Sequence, residues 1–149
     1  MQKISLAEFG DKVTEIMPVI VHQFMKSLSG EFYKVKLTLP QFIVLDILNG
    51  HGESKMTDLS RFINVTTAAM TGLVERLVRD GYVARTSDPK DRRVVKIKLT
   101  ARGGSIVRNM IEKRKQMTMK IFGTISQKER EEYLKILMHI RDHLNSEKS

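Results

Sequence analysis

The stretch from Tyr82 to Arg102 constrains the fold more than any other part of this 149-residue sequence. Apolar and β-branched side chains that suit a pleated strand lie on both sides of a charged Asp-Pro turn at Asp88, which is typical of a short β-hairpin. Lysine or arginine occupies positions 90, 92, 93, 96, 98 and 102. Such crowding is unfavourable unless an anion neutralises it, and a narrow basic hairpin fits a nucleic-acid groove. The stretch therefore predicts a DNA-binding wing.

The net charge of +9 is concentrated around this hairpin. Residues 55–108 contain 12 Lys/Arg and 5 Asp/Glu, whereas the remainder of the chain contains 14 and 12. A basic centre between nearly neutral arms indicates a polyanion-binding module held by a scaffold.

Other classes of protein are disfavoured by what the sequence does not contain. With no cysteine, disulfides, thiolate zinc sites and thiol redox sensing are excluded. No nucleophile elbow, phosphate loop or metal-ligand spacing occurs, so we predict neither an enzyme nor a cofactor. His139 and His143 have an i, i+4 spacing, but no carboxylate cluster completes a set, and we predict no metal site. The first residues lack the pattern of a signal or transit peptide, which predicts a cytoplasmic protein.

Capping patterns and helical periodicity predict six helices around the hairpin. They are expected from the Ser5 capping box to about Phe32, from Pro40 to Leu48, from Thr57 as N-cap to Ile63, from Thr66 to Gly81, after Thr100 and after Ser126. In the third helix, Leu59, Phe62 and Ile63 are expected to face inward.

The order of helix, turn, helix and hairpin predicts a mainly α fold, a winged helix-turn-helix with a small β-hairpin and long N- and C-terminal dimerisation helices. We assign residues 37–104 to the DNA-binding domain. We assign residues 1–36 and 105–149 to a helical dimerisation region, because their long apolar faces have no large partner within a small winged domain.

Several motifs, taken in order and spacing, carry a resemblance to a known family. They are Val65-Thr66, Leu73-Val74-Glu75-Arg76-Leu77, Gly81-Tyr82-Val83, Asp88-x-Lys90-Asp91-x-Arg93 and Leu99-Thr100-x-x-Gly103. With them the chain resembles the MarR family of bacterial transcriptional regulators over nearly its whole length. The resemblance implies a homodimer that binds double-stranded DNA at a pseudo-palindromic operator, with two wings reaching minor grooves. It also implies a repressor that small aromatic or phenolic molecules release.

The resemblance also assigns roles to residues of this sequence. Thr66 matches the residue that starts the recognition helix, and Thr67, Ala68 and Thr71 match positions that face base edges. Arg93 matches the wing-tip arginine of the minor groove, Asp91 the acidic residue that orients it, and Lys90 replaces a commoner arginine. Gly72 stands where many relatives carry a base-contacting side chain.

Two further residues of the basic region have competing interpretations. Arg92 belongs with Arg93 at the wing tip, where the alternative is a merely solvated turn. Arg76 could bind a phosphate, or it could pair with Asp80 or with a wing carboxylate.

An effector site is expected among apolar side chains of the first, second and fifth helices. The candidates are Met17, Phe24, Phe42 and Met110, which could also be ordinary core residues. The alternative function is an architectural DNA-binding or protein-interaction module without ligand control.

Overall fold

The computed structural model describes residues 3–147, which form six α-helices and three short strands. The elements are α1 Leu6–Val35, α2 Leu39–His51, β1 Ser54–Lys55, α3 Met56–Phe62, α4 Thr67–Arg79, β2 Val83–Ser87, β3 Val95–Leu99, α5 Ala101–Phe122 and α6 Gln127–Ser146. The predicted order of helices and hairpin is confirmed. α1 continues through Pro18 and ends three residues later than predicted, at Val35.

Capping boxes determine where three of the helices begin. The predicted capping boxes at Ser5 and Ser126 are both present, and each serine accepts a hydrogen bond from the backbone N–H three residues on. Thr38 forms a third box with Gln41, which the sequence reading did not identify. These boxes satisfy backbone N–H groups that the first helical turn leaves without partners.

The start of α3 differs from the prediction. Its N-cap is Lys55, not Thr57, and no side chain caps the helix. The reason is β1, which pairs antiparallel with β3 and brings Ser54 opposite Ile97, so that the helix follows the strand without a loop. Leu59 is fully buried as expected, but Phe62 is 54% exposed and does not face inward.

The strands form one antiparallel sheet in the order β1-β3-β2. β2 and β3 make the predicted hairpin, in which Val83 lies opposite Leu99 and Ser87 opposite Val95. Val94 lies just before β3, and its N–H donates to the Asp91 carbonyl over 2.9 Å.

The core lies between the helix-turn-helix and the sheet. The largest side chains that are fully buried come from α2, α3, α4, β3 and α5, namely Leu45, Leu59, Met70, Leu77, Ile97, Val44, Val74 and Val107. They exclude water from one side of α4 and fix its outer side toward solvent, because the helix can bury only one face.

The Leu99-Thr100-x-x-Gly103 motif closes the base of the wing. The Thr100 hydroxyl donates to the Gly81 carbonyl over 2.6 Å and accepts from the Gly103 N–H over 3.1 Å. A Cβ added to Gly103 would lie 2.0 Å from the Tyr82 carbonyl oxygen. Only glycine fits there, because that distance is far inside van der Waals contact.

The chain divides into two compact units, the first ending at Glu112 and the second beginning at Lys113. The division lies within α5, whereas the dimerisation region that we predict begins at residue 105. Within the second unit, the rings of Phe122 and Tyr133 stack with centroids 5.3 Å apart. Arg130 donates to the Phe122 carbonyl over 3.2 Å and to the Ile125 carbonyl. In neither unit does a helix among the described residues have the length and apolar character needed to span a membrane.

Candidate nucleic-acid interface

The turn before α4 is built from local hydrogen bonds. Asn64 adopts a left-handed conformation with φ of 53°, which asparagine tolerates better than most residues. The Val65 N–H donates to the Ser60 carbonyl over 3.0 Å. Thr66 is the N-cap of α4, and its hydroxyl accepts from the Ala69 N–H over 3.1 Å. The predicted helix start is confirmed, and the Thr66 hydroxyl has a structural task.

The two faces of α4 differ sharply in exposure. Met70, Val74 and Leu77 are fully buried against the core. Thr67 and Ala68 are exposed in the first turn of the helix. The N-terminal end of α4 therefore presents small side chains outward, which would allow close approach to a flat or grooved partner.

Thr71 and Gly72 lie one turn further along α4. Thr71 is only half-exposed, and its hydroxyl donates to the Thr67 carbonyl over 2.8 Å. The Thr71 oxygen can still accept a hydrogen bond, but its proton is already engaged. A Cβ added at Gly72 would meet no heavy atom within 4 Å, so the space beside this glycine is open.

Arg76 is exposed and pairs with neither of the partners considered for it. Asp80 instead accepts from the Arg79 Nε over 3.1 Å. Glu75, the neighbour of Arg76, lies 3.9 Å from Arg85 on β2. Within residues 3–147, Arg76 has no ion-pair partner, which favours the phosphate-binding interpretation of the two.

The wing tip is shaped by two aspartates that bind backbone. Asp88 Oδ1 accepts from the Lys90 N–H over 2.8 Å, and Asp91 Oδ1 accepts from the Arg93 N–H over 3.0 Å. Asp91 therefore fixes the backbone of Arg93, the residue that the resemblance expects it to orient. Aspartate often fixes a loop in this way, by accepting a hydrogen bond from the backbone N–H two residues ahead.

The tip exposes a set of cations. Lys90, Arg92 and Arg93 are all exposed, and in the part of the chain that the structure describes none of them forms an ion pair. Lys98 is also exposed, on β3. These side chains can neutralise an external anion without breaking an internal contact.

Three of the seven basic residues between Tyr82 and Arg102 have internal partners instead, and one of them is Arg85, which lies beside Glu75 as described above. Lys96 Nζ lies 2.7 Å from Asp88 Oδ2, and the Arg102 guanidinium lies over the Tyr82 ring, 4.8 Å from its centroid. Hydrogen bonding to Lys96 lowers the pKa of Asp88, and the same contact raises the pKa of Lys96. The Lys96–Asp88 pair therefore reduces the positive charge that the wing offers to an external anion, whereas the Arg102 guanidinium keeps its charge.

The contacts that attach the wing to the rest of the module were not predicted from the sequence. The Thr86 hydroxyl donates to Glu53 Oε1 over 2.5 Å, across 33 residues of sequence. Together with β1 and the contact between Arg85 and Glu75, it braces both sides of the hairpin. No local pattern identifies such pairs, because polar residues this far apart meet only once the sheet has formed.

The four residues expected in an effector pocket lie in different surroundings. Phe42 and Met110 are buried, and the Phe42 ring meets the Phe32 ring edge-on at 5.4 Å. Phe24 is half-buried. Met17 is exposed and lines a groove on α1 with Ile4, Phe9, Lys12, Val13 and Ile16, which contains none of the other three.

The histidines of α6 have no metal-like surroundings. His143 Nε2 lies 3.6 Å from Glu147, and both side chains are exposed. Among residues 3–147, no three His, Asp or Glu side chains are grouped so that they could hold a metal ion.

Comparison with known proteins relates this geometry to a family. The sequence model of the MarR family matches residues 37–95, from just after α1 to the first residue of β3. YfiV of Bacillus subtilis (strain 168), an uncharacterized HTH-type transcriptional regulator, is 36% identical over 84 residues, covering 56% of this chain and 52% of that relative. The chain thus spans about half the length of that relative. The HTH-type transcriptional repressor NicR of Pseudomonas putida is 34% identical over 107 residues, covering 72% of this chain and 68% of that protein.

A solved structure agrees with the fold. A MarR family protein from Bacillus stearothermophilus superposes with a TM-score of 0.86 at 23% identity, covering 95% of this chain and 99% of that one. Together with the family match over the helix-turn-helix and the similarity to NicR, the winged architecture identifies the chain as a member of the MarR family of transcriptional regulators.

Proposed function

We propose that the chain binds a specific double-stranded DNA site as a homodimer, and that it is a repressor which a small aromatic or phenolic ligand releases. The observation that carries DNA binding is the combined exposure of the N-terminal end of α4 and of wing-tip cations without internal partners. Thr67 and Ala68 would face base edges in a major groove, with the Thr71 oxygen as a further acceptor. Arg92 and Arg93 would enter the adjacent minor groove, and Arg76 and Lys90 would bind phosphates.

The homodimer is supported by apolar side chains that the chain leaves exposed on α1 and α6. They include Leu6, Phe9, Ile16 and Ile20 on α1, and Leu134, Leu137, Ile140 and Leu144 on α6. Contiguous apolar surface on this scale is usually covered by a partner. A second copy is the simplest partner, with residues 1–36 and 105–149 as the dimerisation region, and its two-fold axis requires a pseudo-palindromic site with half-sites about 10 base pairs apart. Sedimentation equilibrium tests this, and a monomer at micromolar concentration contradicts it.

The test of DNA binding starts with selection of a site from a random DNA library, followed by fluorescence anisotropy at several salt concentrations. Arg93→Ala should weaken binding to all sequences and reduce the slope of log affinity against log salt by about 1. Thr67→Ala should mainly relax base preference, by about 1 to 3 kcal/mol for a lost good contact. Lys135→Gln, which removes an exposed charge of α6, is the control. An unchanged salt slope in Arg93→Ala excludes the wing from the interface.

One observation favours the alternative, an architectural DNA-binding module without ligand control. With the Thr71 proton engaged and no side chain at Gly72, α4 offers fewer groups for direct base readout. Competition of the selected site against bulk DNA separates the two functions. A specific regulator should prefer its site by about 1,000-fold or more, whereas an architectural protein should not.

An open groove of about 700 Å³ on α1 and the start of α2 supports an effector site. Phe32, Tyr33 and Lys26 line this groove, so it offers aromatic rings and a cation to an aromatic acid. Of the four predicted pocket residues, Phe42 contacts Phe32 in the lining of this groove, whereas Met17, Phe24 and Met110 do not line it. The ligand must favour the DNA-incompetent arrangement by about 1 to 3 kcal/mol. Salicylate-like acids titrated against a preformed DNA complex at constant ionic strength should dissociate it.

A further inference from the structure

We propose a second anion site, for a free multivalent phosphate such as pyrophosphate or the phosphate chain of a nucleotide, in a crevice of about 740 Å³ on the first compact unit. We call it the basic crevice. Its polar lining consists of Lys34, Lys36, Arg79, Arg102, Asp80 and Tyr82. The inference goes beyond the proposed function, because Arg79 lies 12 residues along α4 from Thr67, roughly 18 Å from the end that would read bases.

Of these cations, Arg102 has the most firmly fixed position for binding an anion. Its guanidinium lies over the Tyr82 ring at 4.8 Å, and its Nη1 is close enough to Gly81 to touch a Cβ added there at 3.8 Å. The Tyr82 hydroxyl in turn donates to the Val35 carbonyl over 3.3 Å, which fixes the ring. Stacking leaves the five N–H donors of the guanidinium in plane and available. Among the described residues Arg102 has no carboxylate partner.

The other three cations reach the crevice from helix ends. Lys36 is the left-handed C-cap of α1 with φ of 55°, and its ammonium has no ion-pair partner within residues 3–147. Lys34 bonds Glu31 over 2.9 Å. Arg79 uses its Nε for Asp80, so its two terminal nitrogens can bind elsewhere. Side chains at the C-terminal ends of α1 and α4 and in the first turn of α5 thus supply positive charge that internal carboxylates only partly neutralise.

The number and kind of these cations favour phosphate over a simple carboxylate. One carboxylate occupies a single arginine fork, whereas a di- or triphosphate carries enough oxygens to reach two arginines and an ammonium at once. A cavity of this size admits a nucleotide. Since the Tyr82 ring is buried under Arg102, base stacking on it is not available, and recognition should depend on the phosphates.

The test is isothermal titration calorimetry of pyrophosphate into the full chain without DNA, at constant ionic strength. Saturable binding at one site per chain is expected. Arg102→Gln should weaken it at least about tenfold, the effect of losing one charge-assisted contact. Lys36→Asn, in which asparagine tolerates the left-handed backbone, should weaken it similarly. Circular dichroism checks the fold of both variants, and Lys36→Asn keeps the test decisive if Arg102→Gln unfolds.

Two controls separate this site from general charge and from DNA binding. Lys135→Gln removes one positive charge from α6 and should leave the pyrophosphate affinity unchanged within about twofold. Arg93→Ala should impair DNA binding but not pyrophosphate binding. The inference is wrong if pyrophosphate does not saturate by millimolar concentration, or if Lys135→Gln weakens it as much as Arg102→Gln. It is also wrong if Arg102→Gln affects only DNA affinity, because the crevice would then serve DNA phosphates.

Discussion

The helix-turn-helix and wing, from Leu39 to Leu99, contain most of the buried apolar side chains of the described residues, whereas α6 has no buried residue at all. Both segments are amphipathic and begin with capping boxes at Thr38 and Ser126. The difference is that the three helices and the sheet of the first segment pack against one another. Local signals therefore suffice to start a helix, but only tertiary partners determine how much of it is buried.

Among the substitutions that test this difference, Gly103→Ala should have the largest effect on stability. The new Cβ would lie 2.0 Å from the Tyr82 carbonyl oxygen, so the backbone at the wing base must move. We expect a loss of about 4 kcal/mol or more in the free energy of unfolding. Gly72→Ala is the matched control, because its Cβ meets nothing within 4 Å, and it should stabilise α4 by about 0.5 to 1 kcal/mol. Urea titrations measure both, and equal effects would contradict the close approach at Gly103.

Replacing a leucine of the core and a leucine of α6 tests the same difference in burial. Leu77 is fully buried and Leu137 is 43% exposed. Leu77→Ala should cost about 3 kcal/mol by cavity formation, at any protein concentration. Leu137→Ala should cost little within the chain and should instead weaken self-association, by about tenfold if about 1.4 kcal/mol of dimer contact is lost. Unfolding curves at two protein concentrations distinguish these outcomes. A concentration-independent loss in Leu137→Ala would argue against α6 as a dimer contact.

The same contrast explains what could be predicted from sequence. Helix starts at Ser5, Thr66 and Ser126 were predictable because a side chain within three residues fixes each one. The hairpin was predictable because its turn residues are adjacent. These are short-range signals, and they were sufficient for the fold class.

Several of the misses are long-range, whereas the Thr38 capping box is a local signal that was overlooked. β1 exists only because Ser54 pairs with Ile97, and it moved the start of α3 away from Thr57. Phe62 has the helical spacing of a core residue but is exposed, and its ring contacts the His51 ring at the end of α2, 4.8 Å between centroids. The exposed cations of the wing were overcounted because Lys96 meets Asp88 across the hairpin. Whether the proposed contact residues bind DNA remains a prediction.

A smaller effect on stability is expected from the N-terminal cap of α6, which consists of local hydrogen bonds. Ser126 accepts from the Glu129 N–H over 3.3 Å, and Glu129 accepts from the Ser126 N–H over 2.8 Å. Ser126→Ala should therefore cost about 1 kcal/mol. Ser105→Ala, at an exposed position inside α5, should change stability by less than about 0.5 kcal/mol. Thermal unfolding compares the two, and equal midpoints would mean that the cap contributes nothing measurable.

The smallest expected effect concerns the ion pair that shapes the wing. Hydrogen bonding to Lys96, and then to the Lys90 N–H, holds the pKa of Asp88 below its ordinary value. A depressed carboxyl pKa stabilises the folded state above the unfolded pKa, and this contribution is lost as pH falls through the folded pKa. At neutral pH the wing turn should therefore be insensitive to pH.

Removing the partner of Asp88 tests this directly. In Lys96→Met, the midpoint of the Asp88 carboxyl resonance in an NMR pH titration should move up toward the ordinary value, since the largest cause of the shift is lost. Lys98→Met, two residues along the same strand and exposed, should leave the midpoint unchanged. A midpoint that Lys96→Met does not alter, or that both variants raise equally, would assign the shift to the general positive field of the wing. The conformation of the wing tip would then depend only on the hydrogen bonds that Asp88 and Asp91 accept from the backbone. The helix-turn-helix, by contrast, is held by its buried core.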